Sequence, residues 1–263
     1  MIDCSAEYLD KTASPTVQLE QGRLTTQAQS LIEIWCINLS SDRAAAVGAK
    51  ATKSLSASER ARAERFRFPQ ESRNFTASHV ALRHILGAKL GCSPEFVRFV
   101  KDEQGKPQMA GGRPFFSLTH SRDVALVALS AGTPVGVDVE MVRPLPELEA
   151  LIEFACTAHE QAELANAADL FARTRLFMAF WTRKEAALKA TGRGLRVSPR
   201  LIETALGPWV VPDPVGAPDK AVHVSPLNGF LDGAIGAAAS LGAAHSLVMK
   251  DFAWSRDDVA VAA

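Results

Sequence analysis

Residues 135–140 read VGVDVE, a short apolar run of the kind that makes a buried strand, with two carboxylates set into it. Successive side chains on a strand point to opposite faces, so Asp138 and Glu140 share one face while Val137 and Val139 share the other. Like charges side by side repel, and burial strengthens the repulsion. A fold that buries this strand must therefore place something between the acids. On these two residues alone, solvated acids at a strand edge explain the pattern equally well.

The chain has 263 residues, enough for one large domain or two halves at roughly 150 residues per domain. With 47% hydrophobic residues it can bury a sizeable core. Lys plus Arg and Asp plus Glu number 29 each, so no basic excess favours a polyanion, which counts against nucleic acid as a partner. Cys4, Cys36, Cys92 and Cys156 are scattered, with neither a C-x-x-C pair nor metal-ligand spacing, as expected of reduced thiols in a cytosolic protein. Residues 1–20 lack the basic start and apolar run of a signal peptide. The bland stretch GAIGAAASLGAA at 233–244 is too short and too rich in Gly and Ala to cross a bilayer. The expectation is a cytoplasmic protein with no membrane partner.

Along the chain, residues 1–29 are polar and aperiodic and are expected to be loosely ordered. LIEIWCI at 31–37 predicts a strand, SASERARAERFRF at 56–68 a helix, and Pro69 the start of a second helix that Gly91 stops. EFVRFV at 95–100, PFFSLTHS before Arg122 and VALVALS at 124–130 predict further strands. AGTP at 131–134 is the best internal boundary, dividing an N-terminal half, 30–132, from a C-terminal half, 133–263. Thr157 and Glu160 have capping-box spacing, and a strong helix is predicted over about 169–191 with Gly192 as its stop. Helices and strands interleave without a regular βαβ rhythm, which points to an α+β fold.

A third carboxylate lies on the last of these helices, in FWTRKEAALK. Trp181, Lys184, Glu185, Leu188 and Lys189 fall at i, i+3, i+4, i+7 and i+8, close to one face, so Glu185 projects beside a buried stripe. Three acids near a buried strand suggest a hard cation such as Mg²⁺, which prefers oxygen ligands and keeps waters and phosphates in its shell. Lys184 and Lys189 would suit those phosphates, although alone Glu185 and Lys189 read as a surface i,i+4 pair. In the first half, Lys106 of GKP sits in a turn from which it can reach a phosphate, and His120 of SLTHS stands where a strand gives way to a loop. Taken singly, Lys106 reads as a solvated loop lysine and His120 as a capped or solvated loop histidine. Arg60, Arg62, Arg65 and Arg67 form the clearest basic cluster, and His79 and His84 read as structural.

Taken together these stretches resemble the Sfp-type 4'-phosphopantetheinyl transferases. The family's G-[IV]-D-[IV]-E strand is matched by Gly136–Glu140, and its W-x-x-K-E-[AS]-x-x-K helix by Trp181–Lys189, with GRGL following. GKP at 105–107 and FSLTHS resemble its G-K-P turn and F-N-[LI]-S-H-S strand, and RFRFPQESRNF resembles its R-F helix region. The resemblance runs from about residue 56 to 197. Ser117 and Thr119 stand where the family usually has Asn and Ser, and arginines replace the lysines often used for a ribose phosphate.

The resemblance implies two similar α+β halves related by a pseudo-twofold axis, with coenzyme A and Mg²⁺ (Mn²⁺ as the alternative) in the cleft between them. It implies a monomer that moves phosphopantetheine from coenzyme A to a serine of an acyl or peptidyl carrier protein. Asp138, Glu140 and Glu185 would hold the metal, and Glu185 could also take the serine proton. Lys189 and His120 would meet the pyrophosphate, with Arg62, Lys106, Thr119 and Lys184 on the coenzyme. Two other activities fit the residues: a metal-dependent phosphohydrolase or nuclease, and a non-catalytic module that binds coenzyme A or a carrier.

Overall fold

The computed structural model describes residues 13–20, 23–40, 47, 52–212 and 221–254. Helices and strands alternate irregularly, and the fold is mixed α+β. The first sheet carries β1 (Ala13–Glu20), β2 (Arg23–Asn38), β6 (Val124–Ser130) and β5 (Phe115–Ser121) in that order. The second carries β7 (Val135–Met141), β10 (Ala234–Leu241), β9 (Ala221–Leu227) and β8 (Trp209–Pro212). A two-stranded ribbon joins β3 (Phe99–Lys101) to β4 (Pro107–Met109).

Side-chain alternation sorts the core into layers. On the first sheet Ile37, Val127 and Leu129 face α2 (Pro69–Leu90) and pack with Val80, Ala81 and Leu86. The opposite face, with Ile32, Ile34, Leu126 and Ala128, packs on Val135, Val137, Val139 and Ala238 of the second sheet. The far side of the second sheet, Ala237 and Ala239, packs on Ala186, Leu188 and Ala190 of α5 (Leu170–Thr191). The result is helix on sheet on sheet on helix, and the opening strand lies in the middle of it.

Local chemistry explains the two long helices. Pro69 opens α2 at a position whose N–H needs no partner, and Gly91 closes it at φ 66°. Asp169 caps α5 by accepting from Ala172 N at 2.7 Å, and Gly192 closes it at φ 74°. The helix predicted over 56–68 is shorter, α1 (Ala57–Ala63), with a capping box between Ser56 and Glu59. The strand predicted over 95–100 is a 3₁₀ turn at Pro94–Phe96 followed by the short β3, because Pro94 starts a turn rather than an extended segment. Two short helices, α3 (Leu148–Ala155) and α4 (Ala158–Ala165), carry the chain from β7 to α5.

Two features depart from the expected layout. Residues 13–20 and 23–30, within the segment expected to be loosely ordered, form strand, and residues 1–12 lie outside the described residues. The last strand, β11 (His245–Asp251), pairs in parallel with β2 through Ser30–Cys36, so the end of the C-terminal half returns to the first sheet. Residues 131–134 link β6 of the first sheet to β7 of the second.

Candidate active site

Among the described residues β7 is an edge strand bonded only to β10 within its sheet, so its other edge presents backbone groups that need partners. β5 supplies them with side chains. Ser117 Oγ accepts from Val137 N at 3.2 Å, and Ser121 Oγ accepts from Met141 N at 3.1 Å. Between them Thr119 Oγ1 donates to Asp138 Oδ1 at 2.9 Å, and Ser121 Oγ donates to Glu140 Oε2 at 2.8 Å. The offset stays near twenty residues along the seam, so β5 and β7 run in the same direction, joined by hydroxyls.

On its other side β7 lies against α5. Gly136 faces the helix so closely that a Cβ there would come within 2.5 Å of Ala190 N and 2.9 Å of Lys189 Cβ. This close approach brings α5 to the face that Gly136 shares with Asp138 and Glu140. Lys189 reaches across it, with Nζ 2.6 Å from Asp138 Oδ1 and 3.2 Å from Val137 O. The question raised by VGVDVE therefore has a first answer in the chain itself: a lysine and a hydroxyl engage Asp138, and a second hydroxyl engages Glu140.

That answer is incomplete. Asp138 Oδ2 and Glu185 Oε1 are buried without a hydrogen-bond partner among the described residues. Glu140 and Glu185 both hold their protons more tightly than ordinary carboxyls, from burial first and then from the neighbouring negative charges, Asp138 among them. Ser121 works against the shift in Glu140, and Lys189 against that in Glu185. Among the described residues no three His, Cys, Asp or Glu side chains converge into a preformed metal cage. The bare oxygens nevertheless fit a hard divalent cation, and Mg²⁺ is commonly held by one or two carboxylates with waters and substrate phosphates.

Around this centre the predicted residues divide. His120, on the face of β5 opposite Thr119, is exposed. Its pKa is lowered by burial against the protein and then by the charges of Lys189 and Arg62, with Glu71 opposing. Arg62 is exposed on α1, with its guanidinium 5.1 Å from the Phe75 ring centre. Thr119 directs its proton to Asp138 rather than toward the coenzyme side where it was expected.

Lys106 is not a free loop lysine. Its Nζ donates to Val135 O at 3.2 Å and to Lys189 O, and burial, followed by the charge of Lys189, pushes its pKa down to about 8. It lines a pocket of about 120 Å³ with Asp102, Pro107, Phe116, Thr191 and Gly192, where the β3–β4 ribbon meets the end of α5.

Lys184 is the clear correction. Its side chain is 1% exposed and 2.5 Å from Glu160 Oε2. It also donates to Ala155 O at 2.7 Å and Pro199 O at 3.1 Å. Consecutive helix residues do not face each other, so Lys184 turns toward α3 and α4 while Glu185 and Lys189 turn toward β7. No donor remains for a phosphate.

The family model of the 4'-phosphopantetheinyl transferase superfamily matches residues 134–227, from just before β7 through β9. The chain is 38% identical over 181 residues to the 4'-phosphopantetheinyl transferase HetI of Nostoc sp., spanning 67% of this chain and 75% of that relative. This chain belongs to the 4'-phosphopantetheinyl transferase superfamily. A putative 4'-phosphopantetheinyl transferase of Synechocystis sp. is 37% identical over 146 residues, covering 54% of this chain and 58% of the relative. The 4'-phosphopantetheinyl transferase psf-1 of Bacillus pumilus is 32% identical over 142 residues, covering 54% and 59%.

The matched region holds Asp138, Glu140, Glu185 and Lys189, while the partners that fix them include residues that sequence reasoning passed over. Ser121 stood within the quoted FSLTHS without a role. Glu160 was recognised only as a capping-box residue, and it does cap, accepting from Thr157 N at 2.9 Å. Its burial and its pairing with Lys184 depend on contacts from Thr204 and Pro199, more than forty residues away in one case, which no local pattern reports.

Proposed function

We propose that this transferase moves 4'-phosphopantetheine from coenzyme A to a serine hydroxyl of an acyl or peptidyl carrier protein, with Mg²⁺ as the metal and Mn²⁺ as a substitute. Adenosine 3',5'-bisphosphate leaves. The observation that carries the metal-dependent reading is the pair of buried bare oxygens, Asp138 Oδ2 and Glu185 Oε1, on the face that Lys189 crosses. Asp138, Glu140 and Glu185 would hold the ion. Bound there, Mg²⁺ supplies charge neutralisation at the pyrophosphate oxygens.

The chain's own groups account for the remaining work. Glu185 has a raised proton affinity and a buried bare oxygen, so it is suited to accept the proton of the attacking serine. Lys189 Nζ, held by Asp138 Oδ1 and Val137 O, retains one proton to direct at a phosphate oxygen. His120 is exposed and could donate to a phosphate, whose negative charge would favour its protonated form. Arg62, together with Arg60 on α1, would offer a basic face to the ribose phosphate. Lys106 would act from the wall of its pocket, steadying the end of α5 as well as facing the coenzyme.

The helix-on-sheet layers formed by α2 and by α5 support a reading as two similar halves, with the coenzyme between them. Among the described residues no helix is long and apolar enough to cross a membrane, and Cys36 and Cys156 are free thiols. A cytoplasmic location and a monomeric state are part of the proposed reading. The deciding experiment incubates an apo-carrier protein with coenzyme A and Mg²⁺ and reads its intact mass. Addition of the phosphopantetheine mass is expected. Hydrolysis of coenzyme A without addition would favour a phosphohydrolase, and binding without turnover a coenzyme-binding module.

A further inference from the structure

We infer that Ser121 is a positioning residue that aims Glu140 and thereby sets the affinity of the site for its divalent cation. The inference rests on the reading of Glu140 as a metal-holding acid. Ser121 is buried at the end of β5, and its hydroxyl both donates and accepts. It donates to Glu140 Oε2 at 2.8 Å and accepts from Met141 N at 3.1 Å. One backbone N–H therefore fixes the serine rotamer, and the serine fixes one oxygen of the acid.

The same arrangement repeats at Asp138. Thr119 and Lys189 engage Oδ1, at 2.9 and 2.6 Å, and Oδ2 is left bare. On Glu140, Oε2 is engaged by Ser121, and among the described residues no hydrogen bond to Oε1 accompanies it. Two hydroxyls, two residues apart on β5, thus each hold one oxygen of two acids, two residues apart on β7. The parallel seam makes this register possible: equal spacing on both strands keeps each hydroxyl opposite its acid. Ser117, the remaining rung, bonds the backbone N–H of Val137 and touches no acid, so it serves as the comparison within the same seam.

Outer partners that orient metal-binding side chains typically alter metal affinity by about 10–100-fold when removed. The test measures Mn²⁺ binding to the free protein by electron paramagnetic resonance, with no coenzyme or carrier present. Ser121→Ala is expected to weaken Mn²⁺ binding about tenfold or more. Ser121→Thr, which keeps the hydroxyl, is expected to stay within about threefold of the unmodified protein, and Ser117→Ala likewise. Should Ser121→Ala fail to fold, Ser121→Cys takes its place, because a thiol is a weak donor of similar size, and it should bind Mn²⁺ more weakly than Ser121→Thr. Equal Mn²⁺ affinity in the folded Ala or Cys variant and the Thr variant would overturn the inference and leave Ser121 as a strand-joining residue only. A different result marks failure of the underlying reading: no Mn²⁺ binding by the unmodified protein, or binding that Glu140→Gln leaves unchanged, overturns the metal assignment itself.

Discussion

The ammonium of Lys184 lies 2.5 Å from Glu160 Oε2, and the two side chains are 1% and 0% exposed. Every polar atom of the pair is used: Glu160 Oε1 accepts from Thr204 N and Oγ1, and Lys184 also donates to two backbone carbonyls. The pair ties α4, α5 and the segment after α5 together. Lys184→Met would leave Glu160 buried and unpaired, which costs about 3–5 kcal/mol. Denaturant unfolding checks the loss, and the double variant Lys184→Met with Glu160→Gln should recover part of it. Coenzyme A affinity of the folded Lys184→Met protein should be unchanged. A stable variant with weakened coenzyme binding would return Lys184 to the active site.

Gly136 makes the second structural prediction. An added methyl would press on the backbone of Ala186 and Ala190 and on Lys189 Cβ, and helix backbone cannot yield as a flexible side chain can. Overpacking of this kind costs about 1–3 kcal/mol, and this close approach belongs at the upper end. Gly136→Ala should also push Lys189 off Asp138, so activity should fall further than the folded fraction does. Melting temperature and rate per folded molecule separate the two effects.

What could be read in the sequence was what is local. Gly192 stops α5, and Pro69 and Gly91 bound α2, because helix starts and stops are written within one turn of the residues they serve. The strand alternation placed Asp138 and Glu140 on one face and Val137 and Val139 on the other, as the packing of the valines shows. What stayed hidden depends on partners distant in the chain. The i+3 and i+4 spacing put Lys184 and Glu185 on one broad face, but the 100° between them sends each to a different layer. Nothing near residue 245 announces that β11 will pair with β2. The hydroxyls of FSLTHS were visible, while the strand whose edge they cap was not deducible from them.

His120→Ala should chiefly weaken use of coenzyme A. A charge-assisted hydrogen bond to phosphate contributes about 1.5–3 kcal/mol, which corresponds to roughly a tenfold to hundredfold fall in kcat/KM for the coenzyme. The fall should appear in KM or binding affinity more than in stability, because His120 is exposed. Unchanged affinity and rate would make it an ordinary surface histidine.

Lys106 gives a pH signature. Its pKa is pushed from the usual 10.5 to about 8, by burial and by the charge of Lys189. The folded-state value is depressed, so between these pH values the unfolded chain holds a proton that the native state has released. Stability attributable to this group therefore rises as pH increases through the window, and below about pH 8 the full penalty of burying the ammonium remains. Comparing unfolding free energies of the unmodified protein and Lys106→Met at pH 7.5 and 10.5, the difference should shift toward the unmodified protein by roughly 3 kcal/mol at most. Parallel pH profiles would mean that the ammonium is well solvated.

Glu185 has two proposed duties, metal binding and proton acceptance, and Glu185→Gln distinguishes them. As a ligand only, its amide replacement should raise the Mg²⁺ requirement, and excess Mg²⁺ should restore much of the rate. As a base, it should leave the enzyme slow at every Mg²⁺ concentration, since general-base help is worth about 10²–10⁴-fold. The geometry supports both: one buried oxygen of Glu185 is bare, and its proton affinity is raised by burial and by Asp138 and Glu140, while Lys189 one turn later opposes that rise. The expected variant binds coenzyme A, needs more Mg²⁺, and remains at least about a hundredfold slow at saturation. Single-turnover transfer to an apo-carrier across a Mg²⁺ series checks it, because product release then does not mask the chemical step. Full rescue by Mg²⁺ would remove the base role and leave Glu185 as a ligand, whereas a wild-type rate without any divalent ion would remove both.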